Sequence, residues 1–185
     1  MRVIAGSARR LQLVTVPGLD TRPTTDKIKE TLFNILQPRL GGARFLDLFS
    51  GSGAIGIEAL SRGAAEAVLV DNDRRAVSCI KKNLEHTRLE AGAQVLPFDV
   101  MAAISRLHRE GRKFDLIFLD PPYRKNLEKD VLAGLAAAGL LEEDGWIIAE
   151  AALATDFSWL EPLGFREFRR KEYKTNMHVF IEACI

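Results

Sequence analysis

Short apolar segments alternate with helix-like segments from Arg44 onward, and this alternation constrains the fold more than any other feature of the chain. The apolar segments occupy residues 44–49, 67–71, 93–98, 114–120 and 146–150. Helices are predicted between them over 54–62, 74–85, 100–109 and 127–138. Strands that are apolar on both faces are typical of a parallel sheet covered by helices. The pattern therefore predicts a doubly wound α/β domain.

The two ends of the chain depart from this alternation. Residues 166–175 and 177–185 indicate an antiparallel hairpin joined near Thr175 and Asn176, which would complete a mostly parallel sheet of seven strands. Residues 2–5 and 11–16 are predicted as short strands, followed by a helix over 26–37 that Thr24 or Thr25 caps and Pro38 ends. We expect an N-terminal hairpin and helix extension over 1–40 and a main domain over 41–185.

Charge is unevenly distributed along a chain whose net charge is only +1. Residues 1–44 carry eight Lys/Arg and three acids, a net of +5, so the remaining residues carry −4. A second basic run contains Arg166, Arg169, Arg170, Lys171 and Lys174. Taken alone, these charges fit a polyanionic partner and a solvated charged face equally well.

Several further features restrict the setting. No segment approaches the roughly 20 apolar residues of a membrane helix, and the N-terminus lacks the apolar core of a signal peptide. Cys79 and Cys184 form no Cys-x-x-Cys motif, which favours reduced thiols in the cytoplasm and no membrane partner. The three histidines show no metal-ligand spacing, so no metal site is predicted.

A glycine loop, Asp47-Leu-Phe-Ser50-Gly51-Ser-Gly53, follows the first apolar segment. Ligands of such sheets bind at the carboxyl ends of the strands. We take the loop to contain only the pair Gly51 and Gly53, without the full G-x-G-x-x-G spacing of dinucleotide sites, and it lacks the Lys-Ser/Thr of a P-loop. Both features argue against a dinucleotide pyrophosphate or ATP. Asp47 would repel a phosphate but can bind a cationic amine. The loop therefore favours a ligand without phosphates, although glycine also serves simply to pack a strand against a helix.

Acids after the next two strands complete a ligand pattern. Asp71 can accept hydrogen bonds from both hydroxyls of a ribose, and Asp99 can accept one from an adenine amino group. An amine, a ribose and an adenine without phosphate match S-adenosylmethionine. A helix cap is the competing role for Asp73 and, with equal weight, for Asp99. The predicted cofactor site also includes the neighbouring Ser50, Asn72 and Val100.

The fourth apolar segment ends in Asp120-Pro121-Pro122-Tyr123. Consecutive prolines cannot continue a central strand, but they fix the chain and leave rigid carbonyl acceptors. Asp120 and the Pro121 carbonyl can each accept one hydrogen of a planar amino group, and Tyr123 offers a face on which a base can stack. This arrangement would align a weakly nucleophilic amine with a methyl donor. We predict that these four residues are catalytic; a plain proline turn is the competing interpretation.

The glycine loop, Asp71 and the DPPY motif, in this order, resemble class I methyltransferases that act on amino groups. The segments RPTTDKIKETLFNIL and LDLFSGSGAIGIEALSRGA are similar to bacterial 16S rRNA guanine 2-amino methyltransferases, and the resemblance spans essentially the whole chain. It implies catalysis by residues 120–123 and RNA contact by the N-terminal arm, which we place at Arg9, Arg10, Arg22 and Thr24. For Arg22 and Thr24 the alternative role is to close over the methionine part of the cofactor. The residues implied for S-adenosylmethionine are Asp47, Gly51, Gly53, Asp71 and Asp99.

The implied activity is methylation of the 2-amino group of a specific guanine in small-subunit (16S) rRNA. The substrate would be free RNA or an assembling 30S particle, and the enzyme a monomer. A DNA or RNA adenine amino methyltransferase shares the DPPY motif, but little chain remains to read duplex sequence. A protein glutamine methyltransferase is disfavoured by the basic arm. A non-catalytic RNA-binding module is disfavoured by the intact Asp120 and Tyr123.

Overall fold

The computed structural model describes residues 1–18, 25–122 and 127–184 and contains a seven-stranded sheet in the order β3-β2-β1-β4-β5-β7-β6. The strands are β1 (Arg44–Leu48), β2 (Glu66–Val70), β3 (Ala93–Leu96), β4 (Phe114–Leu119), β5 (Leu141–Ala152), β6 (Phe165–Glu172) and β7 (Asn176–Ala183). The first five strands run parallel, and β7 pairs antiparallel with both β5 and β6. The predicted sheet with an antiparallel C-terminal hairpin is confirmed.

Helices cover both faces of the sheet. They are α1 (Asp26–Leu40), α2 (Ala54–Ser61), α3 (Arg74–Thr87), α4 (Val100–Arg109) and α5 (Leu127–Ala138). Because side chains alternate along a strand, Phe118 faces the core shared with α1, α2 and α3, whereas Ile117 and Leu119 face the core of α4 and α5. The α2, α3 and α4 helices each begin just after the carboxyl end of the preceding strand. Their N-termini therefore lie at the edge of the sheet where ligands of this fold bind.

The N-terminal strands predicted over 2–5 and 11–16 are not formed. An isolated antiparallel bridge joins Arg2 to Gln12, and Val3 N donates to Leu11 O over 3.0 Å. The amides of Ile4 and Ala5 instead donate to the carboxylate of Glu58, over 2.9 and 3.1 Å. A side chain of α2 thus takes the hydrogen bonds that a regular hairpin would use. The segment packs in one core with α1, α2 and α3.

Other elements extend beyond their predicted ranges. The α1 helix continues through Pro38 to Leu40, with Thr25 as its N-cap. Pro38 deprives only the carbonyl of the exposed Asn34 of an amide partner, and burial of Leu40 favours the extra turn. The β5 strand runs from Leu141 to Ala152, longer than predicted, because its neighbours β4 and β7 pair with it beyond the apolar segment. In the described part of the chain, no helix is long and apolar enough to cross a membrane.

Candidate active site

The glycine loop leaves the carboxyl end of β1 in a left-handed conformation. Phe49, Gly51 and Gly53 have φ values of 63°, 56° and 80°. A Cβ atom on Gly53 would lie 3.1 Å from Leu69 Cδ2, so this position is also tightly packed. Ser50 Oγ donates to the Asp47 carbonyl over 2.7 Å and accepts from Val70 N over 3.0 Å. Its hydroxyl therefore joins β1 to β2 and supports the loop from within.

Gly56 is a site residue that the sequence analysis missed. Its amide donates to Asp47 Oδ2 over 2.9 Å, and a Cβ atom there would lie 2.9 Å from Leu69 Cδ2. Together Gly51, Gly53 and Gly56 have the full G-x-G-x-x-G spacing, so counting the loop as a shorter motif was wrong. The third glycine lets α2 pack closely on the strands. Glycine spacing therefore does not argue against a dinucleotide. The argument against a dinucleotide depends on Asp47, and the missing P-loop lysine argues only against ATP.

Asp47 lies beneath this loop with 1% of its surface exposed. Burial raises the pKa of its carboxyl to about 7; the hydrogen bond from Gly56 opposes the rise, and the nearby Asp71 carboxylate adds to it. An acid in this state is partly protonated near neutral pH. A cation brought to the loop would favour the ionised form, so the site electrostatically suits a positively charged ligand. That Asp47 contacts such a ligand stays a prediction.

The buried acid should make stability pH-dependent. The Asp47 pKa is about 7 in the folded chain against 3.8 for the free group, so folding favours the neutral form. Its contribution to stability is complete below pH 4 and is lost as the pH rises through 7. Asp47→Asn removes the charge and keeps an acceptor for Gly56. Above pH 7 we expect the variant to exceed the wild type in free energy of unfolding by up to ~4 kcal/mol. Urea unfolding between pH 4 and 9 measures this difference, and parallel curves for the two proteins would contradict it.

Asp71 lies at the carboxyl end of β2, half-buried and beside the glycine loop. Its Oδ2 accepts from Gly51 N over 2.8 Å and its Oδ1 from Asp73 N over 2.9 Å. These bonds hold the carboxylate in one orientation. Asn72 is exposed next to it. The structure thus brings the predicted ribose acceptor into direct contact with the predicted loop.

Asp73 and Asp99, for which a helix cap was a competing role, both cap a helix. Asp73 Oδ1 accepts from Arg75 N over 2.8 Å at the start of α3, and Asp99 Oδ1 accepts from Met101 N over 2.9 Å at the start of α4. Asp99 is exposed at the ligand edge of the sheet, whereas Val100 is buried in the core below it. The cap is confirmed for both acids. Contact of Asp99 with an adenine stays a prediction.

Asp120 follows β4 at the same edge of the sheet, two strands from β2. Burial raises its pKa well above the usual range, and the carboxyls of Glu150, Asp47 and Glu128 add to this effect. Pro121 behind it is buried and Pro122 is exposed. The structure therefore gathers Asp120 with Asp47 and the glycine loop in one acidic centre. Tyr123, Arg22 and Thr24 lie outside the described residues.

Glu150 belongs to a hydrogen-bonded network next to Asp120. It is opposite His178 in the β5–β7 pairing. Its carboxylate accepts from Asn176 Nδ2 over 2.7 Å and contacts His178 Nε2 at 3.2 Å, while Tyr173 OH lies 3.3 Å from His178 Nδ1. The sequence analysis missed these residues. A signal for Glu150 was available, because it ends the fifth apolar segment as Asp120 ends the fourth.

Arg9 and Arg10 lie elsewhere. The chain just before them is fixed to the last residue of α2, since Ser7 N donates to Ser61 O over 2.8 Å and Ala8 N to Ser61 Oγ over 3.0 Å. The first residue of α2 adjoins the glycine loop. At 1.5 Å per residue the helix spans ~12 Å, so the two arginines lie toward the opposite edge of the sheet. The structure does not bring them together with Asp71 or Asp120.

The fold and the site at its ligand edge define a class I methyltransferase architecture. The structure of "Putative methyltransferase yhhF from Escherichia coli" is similar, with a TM-score of 0.85 and 34% identity over 100% of this chain and 98% of that one. A family model described as "Conserved hypothetical protein 95" matches residues 1–182, and the chain belongs to this family.

Curated relatives agree with that assignment. "Putative rRNA methyltransferase YlbH" from Bacillus subtilis is 46% identical over 150 residues, covering 81% of this chain and 82% of the relative. "Ribosomal RNA small subunit methyltransferase D" from Escherichia coli is 42% identical over 156 residues, covering 83% and 72%. The resemblance to bacterial small-subunit rRNA methyltransferases that the sequence motifs indicated is confirmed at the level of the family.

Proposed function

We propose that this chain transfers a methyl group from S-adenosylmethionine to the 2-amino group of a guanine in small-subunit ribosomal RNA. The observation that carries the proposal is the position of Asp120: it follows β4 within an acidic centre that includes the floor of the glycine loop. The family membership and the names of the relatives supply the substrate class. The choice of the 2-amino group as the methyl acceptor is based on the sequence resemblance.

The donor set suits S-adenosylmethionine. Asp71 is held at the loop as a half-buried acceptor, and Asp47 lies below it as an acid whose ionisation a cation would favour. When bound, the cofactor would supply an electrophilic methyl group on a positively charged sulfur. Residues Gly51, Gly53, Asp71, Asn72 and Asp99 would hold it, and Ser50, Gly56 and Val100 would support them from below. The acidic centre stabilises a sulfonium and disfavours the pyrophosphate of a dinucleotide.

Cofactor affinity should depend on Asp71. Asp71→Ala removes the acceptor for the ribose hydroxyls and releases the amide of Gly51, so we expect a loss of roughly 1.5–3 kcal/mol for each charge-assisted hydrogen bond. Isothermal calorimetry with S-adenosylmethionine measures the change. Asp73→Ala is the matched control, because it removes a neighbouring acid whose described role is to cap α3. Equal affinity in wild type and Asp71→Ala would remove the ribose assignment.

Asp120 and the Pro121 carbonyl would orient the amine of the target base. The bound cofactor would supply the methyl group and keep the sulfur as leaving group, and an ionised Asp120 would stabilise the positive charge that develops on the attacking nitrogen. The nitrogen then loses one proton to Asp120 or to water. The raised pKa of Asp120 makes its ionised form a better proton acceptor than an ordinary carboxylate. Tyr123 would stack on the base.

RNA contact by the N-terminal arm remains part of the proposal. Arg9 and Arg10 are exposed and would bind backbone phosphates some distance from the reacting base. Contact of Arg22 and Thr24 with the RNA is part of the same proposal. Action on an assembling 30S particle and a monomeric enzyme belong to the same proposal.

Parallel methylation assays test the function. The enzyme is offered labelled S-adenosylmethionine with naked small-subunit rRNA, assembled small subunits, adenine-containing DNA and release-factor protein. We expect label in small-subunit rRNA, recovered after digestion as N2-methylguanosine. Label in adenine would favour an adenine amino methyltransferase instead. RNA binding without transfer to any substrate would favour a non-catalytic module.

A further inference from the structure

We propose that a cleft between α1 and β6 binds the RNA backbone beside the target base, an inference that rests on the proposed function. The cleft has a volume of about 400 Å³ and is lined by Thr31, Asn34, Ile35, Arg169 and Lys171. Its lining combines two cations with a hydroxyl and an amide. Phosphate and ribose oxygens are the groups that such donors recognise.

Strand pairing connects the cleft to the acidic centre. Glu150 of β5 is opposite His178 of β7, and His178 is opposite Lys171 of β6. Leu119 is opposite Ala149, so Asp120 and Glu150 follow at the ends of neighbouring strands. Residues in register across a sheet share a face. Lys171 therefore lies three strands from Asp120, ~14 Å away at the usual strand spacing.

The cations of the cleft differ from the other arginines of β6. Arg166 pairs with Glu182 at 2.7 Å and Arg170 with Glu167 at 2.7 Å. Within the described ranges of the chain, no ion pair involves Arg169 or Lys171, and both side chains are exposed. The Arg169 guanidinium lies 5.9 Å from the centre of the Phe180 ring, which orients it on the α1 side of the sheet. Two charges are thus available to a ligand.

Electrostatics explain why a nucleic-acid substrate would need this cleft. Asp47, Glu128, Glu150 and Asp120 place carboxyl groups around the reacting position, and the ionised forms of these groups repel the phosphates that accompany a base. Cations beside the centre offset that repulsion and fix the backbone while the base enters. Arg9 and Arg10, at the opposite edge of the sheet, are too distant to do this for the nucleotides next to the target. RNA is therefore the occupant that the charges fit.

The test compares two double variants. Arg169→Ala/Lys171→Ala removes the cations of the cleft. Arg109→Ala/Lys113→Ala removes two exposed cations that lie at the end of α4 and just before β4, on the edge opposite the active site. We expect the cleft variant to bind small-subunit rRNA roughly tenfold more weakly, with the slope of log K against log salt smaller by about 0.7 for each phosphate that the variant no longer neutralises. The control should match the wild type.

Other measurements separate this inference from the proposed function and from misfolding. Cofactor affinity, and the single-turnover rate at saturating RNA, should be unchanged in the cleft variant, because the reacting groups are intact. Lys171→Glu alone, at an exposed side chain, should reproduce the weaker binding without change in the melting temperature. Wild-type affinity and salt slope in both cleft variants, with methylation of the RNA intact, would overturn the cleft assignment alone. Failure of the wild type to methylate the RNA would overturn the function.

Discussion

Asp120→Ala is expected to lower the rate of methyl transfer at saturating RNA and cofactor by about a hundredfold or more, as for other positioned groups that stabilise developing charge. The stabilisation exists mostly in the transition state, so kcat should fall more than KM rises. Asp120→Asn keeps the shape and one acceptor but carries no charge. Its rate of methyl transfer should lie between those of the wild type and the alanine variant. Single-turnover methylation with saturating RNA measures the chemical step directly.

The same substitutions should not weaken the fold. The pKa of Asp120 is raised because burial and the carboxyls of Glu150, Asp47 and Glu128 disfavour its charge. A raised acid pKa means that stability falls as the pH rises through it, so removing the acid should leave the free energy of unfolding equal or higher at neutral and alkaline pH. A variant that is slow because it is unfolded would show the opposite. A wild-type rate in folded Asp120→Ala would make Asp120 structural and overturn the mechanism.

Glu58→Gln is expected to have the largest effect on stability. Glu58 is fully buried, and its carboxylate contacts Lys29 Nζ at 3.2 Å, Arg62 Nε at 2.8 Å and the amides of Ile4 and Ala5. Burial lowers the pKa of Lys29, and Glu58 opposes that shift. Removing one partner of a buried pair leaves an uncompensated charge, which costs about 3–5 kcal/mol. Urea unfolding measures the loss.

A double variant distinguishes charge from packing. Glu58→Met/Lys29→Met removes the two fully buried charges, and such apolar replacements of buried pairs are often neutral or stabilising, but Arg62 keeps its charge and loses its carboxylate partner. We expect it to recover part of the stability lost in Glu58→Gln, although glutamine keeps one acceptor for the amides of Ile4 and Ala5, whereas methionine leaves both without one. Hydrogen exchange at these amides should be faster in both variants, since Glu58 is their partner in the native chain. Unchanged exchange and stability in Glu58→Gln would show that the N-terminal segment is held by other contacts.

The alternation of apolar and helical segments was sufficient to predict the sheet, because strands buried on both faces have few other solutions. The α4 and α5 helices coincide with their predicted ranges. The predicted element boundaries were wrong where contacts with residues distant in the sequence determine them. The predicted N-terminal strands did not form because Glu58 accepts hydrogen bonds from their amides, and no local sequence pattern reveals that Glu58 lies beside them. The α1 helix continues beyond Pro38 because Leu40 is buried in the core.

The sequence by itself determined the groups at the carboxyl ends of the parallel strands, since these ends meet at one edge of a doubly wound sheet. Asp47, Gly51, Asp71 and Asp120 were predictable for that reason. Only the tertiary structure decided what surrounds them. Strand register joined Glu150 to His178 and Lys171, burial raised the pKa values of Asp47 and Asp120, and anchoring at Ser61 kept Arg9 away from the site. Register, burial and anchoring are relations between residues far apart in the chain, and local sequence patterns do not encode them.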